Sequence, residues 1–259
     1  MGSFHFCLLG SGSSGNAALV ASDSTRILID NGFSLKQLKA RMAAVGESVG
    51  GLNAVFVTHE HADHVRGVGV LARALNIPVF MTAGTRELLP LTTGEIPNVV
   101  IFEAGDRMRI RDLEVASFSV PHDAADPVSF TVSCNGCKVG FATDFGKPSQ
   151  LIKTRLAGAN ALVIESNYCP DMLRMGHYPP QVQQRIRSRI GHLSNQDMCS
   201  LLDSLWHEAL RTVVLMHISE NNNRPELARA MAAQALRGRN VRLFVAAQDA
   251  PTPVFEVEA

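Results

Sequence analysis

The sequence predicts an α/β layered domain, and three observations carry that expectation. Short β-branched runs alternate with helix-period segments from one end to the other. At 259 residues and 46% apolar composition, the chain is long enough to bury a sizeable core. No Ser/Pro-rich linker or low-complexity segment divides it, so residues 1–259 read as one domain.

In chain order, Gly10-Ser-Gly12-Ser-Ser-Gly15 comes first. It matches G-x-G-x-x-G, and Asp30 follows at about the spacing of a dinucleotide site. The context contradicts that reading. Asn16-Ala-Ala-Leu-Val-Ala-Ser and Asp23-Ser24-Thr25 lead into a second strand over 26–30, where a helix should open. A tight turn between strands is therefore expected, with no nicotinamide cofactor. This small-residue loop, with Ser13, Ser14 and Asn16 as candidate substrate-binding residues, could still offer backbone N–H groups to a phosphate.

A helix over 35–45 and a strand over 54–58 come next, then one helix over 63–75 and a strand over 99–102. Cys134-Asn-Gly-Cys137 has C-x-x-C spacing, but Asn-Gly is the strongest hairpin signal and no second pair exists, so a hairpin turn is expected. Strands over 138–143, 161–165, 212–216 and 241–246 alternate with helices over 148–156, 181–190, 195–208 and 225–236. Asn195 reads as an N-cap, Gly238 as a stop, and Met172 and Met175 as core.

An internal echo runs through these elements. The strand ending Asp30-Asn-Gly32 resembles the one ending Asp144-Phe-Gly146. Each is followed by a helix and then by Gly51-Leu-Asn-Ala or Gly158-Ala-Asn-Ala, opening strands that end at Thr58-His59 and Glu165-Ser166. A unit used twice would align polar strand ends from both halves along one edge.

The charge balance, 24 Lys+Arg against 24 Asp+Glu, excludes a broadly basic nucleic-acid binder, so any anionic partner is held locally. Five cysteines, odd in number and irregularly spaced, fit a reducing cytoplasm better than a disulfide framework. The first residues lack a basic n-region, and no stretch reaches the roughly 18 apolar residues of a membrane span, so neither a signal peptide nor a membrane segment is expected.

Thr58-His59-Glu60-His61-Ala62-Asp63-His64 carries the strongest chemical signal. In an extended chain His59 and His61 project to the same side and can grip one cation. Asp63 and His64, on the turn opening the next helix, can reach a second. Imidazole nitrogen and carboxylate oxygen are the donors that Zn²⁺-type ions take. One segment is too little for two metal sites, and His122, Asp144 and His217 end other expected strands.

These residues, in this order over nearly the whole chain, resemble the metallo-β-lactamase-fold hydrolases. The resemblance implies an αββα sandwich, two β-sheets flanked by helices, and two divalent metal ions, Zn or Mn. By it His59, His61 and His122 hold one ion, Asp63, His64 and His217 hold the other, and Asp144 bridges them. Asp30 would orient the ligand loop from behind. Two such cations against two carboxylates leave roughly +2, which suits an anionic phosphodiester without excluding esters, thioesters or lactams. The interval between Asp144 and His217 is too short for the clamp domain inserted there in the larger RNase J-type relatives.

Glu165-Ser-Asn167 and Gly191-His192-Leu-Ser194 are similar in placement to the paired motifs of RNase Z-type phosphodiesterases, although the triplets differ. That likeness implies His192 as proton donor to the leaving oxygen and Glu165 as its orienting carboxylate. Between them, Arg174, Arg185, Arg187 and Arg189 with Tyr178 form a basic strip. A solvated helix face would explain the run almost as well, but its position between the two candidate proton-relay residues favours a strip that tracks a phosphate backbone. With Ser11–Asn16, His122-Asp-Ala-Ala-Asp-Pro127, Met172–Gly176 and His217-Ile-Ser, the set resembles the YycJ/WalJ family of bacterial metallo-β-lactamase-fold proteins. The family resemblance implies a metal-dependent exonuclease degrading duplex DNA 5′ to 3′, a metal-activated hydroxide attacking phosphorus with Asp63 and Asp144 holding it. DNA or RNA is the partner so implied. Two alternatives remain: a small-molecule ester, thioester or lactone hydrolase of the same fold, and a non-catalytic nucleotide-binding protein using the glycine loop. Oligomeric state is left open.

Overall fold

In the computed structural model, which describes residues 3–258, the strands fall into two sheets of seven. The first sheet holds β1 (Phe4–Gly10), β2 (Ala17–Ser22), β3 (Arg26–Ile29), β4 (Ala54–Phe56), β5 (Val79–Met81) and β6 (Val99–Ile101). The second holds β7 (Arg107–Ile110), β8 (Leu113–Ser119), β9 (Val128–Cys134), β10 (Cys137–Ala142), β11 (Ala161–Glu165), β12 (Thr212–Met216) and β13 (Arg242–Val245). β14 (Phe255–Glu256) returns to pair with β1. The spatial orders are β14-β1-β2-β3-β4-β5-β6 and β13-β12-β11-β10-β9-β8-β7. Both sheets have the same internal pattern: antiparallel pairs up to β3 or β10, then parallel pairs to β6 or β13.

The helices are α1 (Leu35–Ala44), α2 (Ala62–Val65), α3 (Val68–Leu75), α4 (Ala83–Glu87), α5 (Gln150–Leu156), α6 (Pro170–Met175), α7 (Pro180–Arg187), α8 (Asn195–Leu205) and α9 (Pro225–Ala235). Alternate strand residues face opposite layers. Ala54 and Phe56 pack between the sheets with Phe130, Phe141 and Val163, whereas Val55 and Val57 pack outward with Leu38, Met42 and Leu71 of α1 and α3. Leu162 and Ile164 do the same against α5, α8 and α9. Strands covered on both faces explain why the sequence shows continuous apolar runs there. Phe56 stacks on Phe80 at 4.5 Å and meets Phe130 edge-on at 5.6 Å, joining the two sheets. The result is the expected αββα sandwich. Among the described residues no helix is long and apolar enough to cross a membrane.

The echo is real in atomic detail. Asn53 accepts from the Arg26 N–H through its side chain (2.8 Å) and donates its own N–H to the Arg26 carbonyl (2.8 Å). Asn160 does both to Lys138, at 2.9 and 2.8 Å. Ser34 and Ser149 cap α1 and α5 at matching places. The glycine loop is a turn between the antiparallel β1 and β2, and Asn135 and Gly136 turn the β9–β10 hairpin with φ of 51° and 83°.

Three local expectations are corrected. The helix over 63–75 is two helices, broken at Gly67, where a Cβ would lie 1.8 Å from the Phe33 carbonyl oxygen. Ser194, not Asn195, caps α8, its hydroxyl accepting from the Asp197 N–H, while Asn195 is the buried first residue of the helix. Met175 is 80% exposed, because α6 turns it to solvent and buries Leu173 instead.

Candidate active site

Ends of strands from both sheets meet at one edge of the sandwich. Asp30, Asp144 and His217 follow β3, β10 and β12, and all three have left-handed backbone, with φ of 59°, 54° and 54°. That conformation costs an L-residue about 1–2 kcal/mol and turns the chain sharply over the edge. Parallel register then brings β4, β11 and β12 out beside them, carrying His59, Glu165 and His217.

Hydrogen bonds fix the imidazoles. Thr58 donates its hydroxyl to Asp30 Oδ2 (2.8 Å), so its oxygen accepts from His59 Nδ1 (2.9 Å), and the bare Nε2 of His59 faces inward. His122 donates Nδ1–H to the Gly191 carbonyl (3.1 Å), aiming its Nε2 the same way. These two nitrogens lie 3.0 and 3.4 Å from His61 Nδ1. Three ring nitrogens thus converge with at most one hydrogen between them, an arrangement a cation resolves. His64 donates Nδ1–H to Asp30 Oδ2 (2.8 Å) and turns Nε2 to Asp63 and Asp144, each at 3.3 Å. His217 Nε2 is buried without a hydrogen-bond partner, 3.5 Å from Asp63 Oδ2. The sets His59–His61–His122 and Asp63–His64–His217 are each compact enough to hold one ion, and Asp144 lies against both, 3.9 Å from His122 and 3.3 Å from His64. The donor set fits divalent metals, and Asp30 stands behind His64, accepting from its Nδ1–H.

Electrostatics separates the histidines. Burial holds His59 well below the usual imidazole range and lowers His122, leaving both neutral as ligation requires. Burial also opposes charge on His64, but Asp30, Asp63 and Asp144 overcome it and raise its pKa. Asp144 is held well below the usual carboxylate range: burial works against this, and His217 and His64 outweigh it. Glu165, wholly buried, accepts from His192 Nδ1 (2.7 Å), His217 Nδ1 (3.1 Å) and the N–H groups of Phe145 and Leu193. Burial disfavours the His192 cation, yet Glu165 and then Asp144 raise its pKa.

These groups open into a cleft of about 330 Å³ lined by Ser13, Asp63, His122, Asp144, His192 and His217, among others. A larger hollow of about 530 Å³ between α8 and α9 shares no residue with it. Of the strip arginines, only Arg185 lines the cleft, and Asp123 pairs with it at 3.2 Å. Arg174 is exposed and paired with Asp171; Arg187 and Arg189 are exposed, and the Ser14 N–H donates to the Gln248 side chain, away from the cleft wall. Asn16 is put to a different use from the one expected. It is 1% exposed, donating to Asp63 (3.0 Å) and accepting from Ser11 and Gly12, so it braces the centre and cannot reach a substrate.

Some supporting residues escaped the sequence reading. Glu60 accepts from the Ala125 N–H (2.8 Å) and so fastens the loop carrying His122. Asn195 and Asn223 exchange side-chain hydrogen bonds at 2.9 and 2.8 Å, tying the loops after β11 and β12 to the start of α8. The run Asn221-Asn-Asn223 just after His217 was the available signal.

Two sheets flanked by helices, with histidines and aspartates gathered at their strand ends, define the β-lactamase superfamily fold, and residues 25–218 match the model of the β-lactamase superfamily domain. The chain is 38% identical to exodeoxyribonuclease YycJ of Bacillus anthracis, across 90% of this chain and 89% of that one. It is 30% identical to exodeoxyribonuclease WalJ of Streptococcus pneumoniae, across 98% of each. The chain belongs to the YycJ/WalJ family of that superfamily. The metallo-β-lactamase fold protein YhfI of Bacillus subtilis shares the fold, with a TM-score of 0.76 at 16% identity over 98% of this chain and 99% of that one. The fold implies divalent metal ions, and the clustered side chains are the ones able to hold them.

Proposed function

We propose that the chain is a metal-dependent phosphodiesterase acting as a DNA exonuclease, with two divalent cations, Zn²⁺ or Mn²⁺. One observation carries this reading: His192 lines the same cleft as the converging His and Asp side chains, with the buried Glu165 behind it at 2.7 Å. The names of the relatives support DNA, and the family resemblance adds 5′-to-3′ polarity on duplexes. His59, His61 and His122 would hold one ion, Asp63, His64 and His217 the other, and Asp144 would bridge. Such ions bring the pKa of water toward neutrality and offset charge developing on phosphoryl oxygens.

The protein's own groups then divide the work. Asp63 is kept ionised, because His64 and His217 outweigh the effect of burial. It is an acceptor that orients the attacking water rather than a store for its proton. Glu165 fixes Nδ1 of His192, which leaves Nε2 free to carry a proton to the leaving oxygen. Ser13 is the glycine-loop residue at the cleft wall and offers its hydroxyl to a phosphate oxygen. His192→Ala should lower turnover on 5′-labelled DNA by about 10²–10⁴-fold. Metal content, measured by mass spectrometry, should be unchanged. Undiminished turnover would remove His192 from the reaction. Fast thioester cleavage with no hydrolysis of DNA or RNA would replace the reading by the small-molecule one.

A further inference from the structure

The cleft has two unlike walls. On one side are the carboxylates and imidazoles just described. On the other, Tyr178, Val182, Ile186 and Ile190 recur four residues apart along α7 and its flanks, and all four line the cleft. Val182 and Ile190 are 40% and 46% exposed although nothing polar in the cleft uses them. Tyr178 is held in place, its hydroxyl accepting from the Asn221 side chain at 3.0 Å. The one cation on this wall, Arg185, already has Asp123 as its partner. The wall therefore has little to offer a phosphate and much to offer a flat apolar face. It is also coupled to the chemistry, since the Ile186 carbonyl accepts from the His192 N–H at 2.9 Å.

We propose that this wall is a nucleobase platform, on which the base of the nucleotide being removed packs while its phosphate faces the His and Asp side. The proposal rests on the phosphodiesterase reading and names the part of the substrate it needs. A cleft of about 330 Å³ is at the small end of ligand pockets, so it suits one unstacked nucleotide and not a duplex. Every base has a π-face, so the platform takes all four with little sequence preference. It also gives an end nucleotide, already free to unstack, the advantage over an internal one.

The test is a cycle on the metal-loaded, full-length protein with two DNA substrates of equal length, in whichever of single-stranded or duplex form the wild type degrades. One is ordinary; the other carries a tetrahydrofuran abasic residue at each terminal position. The double variant Val182→Ser, Ile190→Ser replaces exposed side chains, so folding is not at risk. On ordinary DNA it should lower kcat/KM about tenfold, as expected from the loss of base packing. On the abasic DNA the same substitutions should cost less than about twofold, so that the two losses do not multiply. An equal fractional loss on both substrates overturns the platform and leaves the phosphodiesterase standing. A wild type that cleaves neither DNA nor RNA with Mn²⁺ or Zn²⁺ overturns both. If the substitutions spare both activities but dissociate a dimer, the wall is an interface between copies and the platform is wrong.

Discussion

Glu165 is the residue on which the candidate site turns. Its two oxygens serve four donors, two imidazoles and two backbone N–H groups, inside a fully buried pocket. A carboxylate so well satisfied stays ionised and sets the proton affinity of His192. As the proposed acid, His192 would serve only while protonated, so activity should be present below its pKa and lost as pH rises through it. Because Glu165 raises that pKa, Glu165→Gln should move the alkaline limb of the kcat/KM profile to lower pH, read at saturating metal because Glu165 also holds His217. An unmoved limb would mean that a different group delivers the proton. Thr58 shows a second principle at this scale. One hydroxyl donates to Asp30 and accepts from His59, so it settles the tautomer of a candidate ligand from behind.

At the scale of elements, the segment after β3 and the segment carrying His64 are pressed together backbone to backbone. A Cβ on Gly32 would lie 1.8 Å from the Asp63 carbonyl oxygen, and one on Gly67 would lie 1.8 Å from that of Phe33. The Asp63 and His64 carbonyls accept from the Asn16 and Asn31 N–H groups, both at 2.8 Å. Gly67→Ala forces main chain apart, so we expect destabilisation at or beyond the roughly 1–3 kcal/mol of overpacking. By calorimetry that corresponds to about 2–4 °C of Tm per kcal/mol. An unchanged Tm would show that Gly67 and the segment after β3 can separate freely. The same contact explains what could be read beforehand. The H-x-H-x-D-H segment and the strand ends were legible because ligand chemistry restricts residue type. The break at Gly67 was not, because apolar periodicity continues through it and only a tertiary approach forbids a single helix. Nor was the apolar wall of α7 legible behind its arginines. Which helix face meets the cleft depends on where Gly191 and His192 are anchored.

For the whole molecule, the centre belongs to neither half. His59, His61, Asp63 and His64 come from the first sheet and its loops; His122, Asp144, Glu165, His192 and His217 come from the second. Cations bound there would act on the folded state alone. Ligand at a hundredfold excess over Kd stabilises by about 2.7 kcal/mol, which raises Tm by roughly 5–10 °C. Chelation should remove that increment and Zn²⁺ or Mn²⁺ restore it. A Tm indifferent to both would contradict ion binding between the sheets. Three of the turns that form the centre also stand in left-handed backbone, two at equivalent places in the repeated unit and the third at His217. Neither copy of the repeat can assemble a complete set of donors before the other has docked. A complete donor set for either candidate ion would therefore exist only once the two sheets have docked in register, so a chain with misregistered sheets would carry the residues of the centre without the centre.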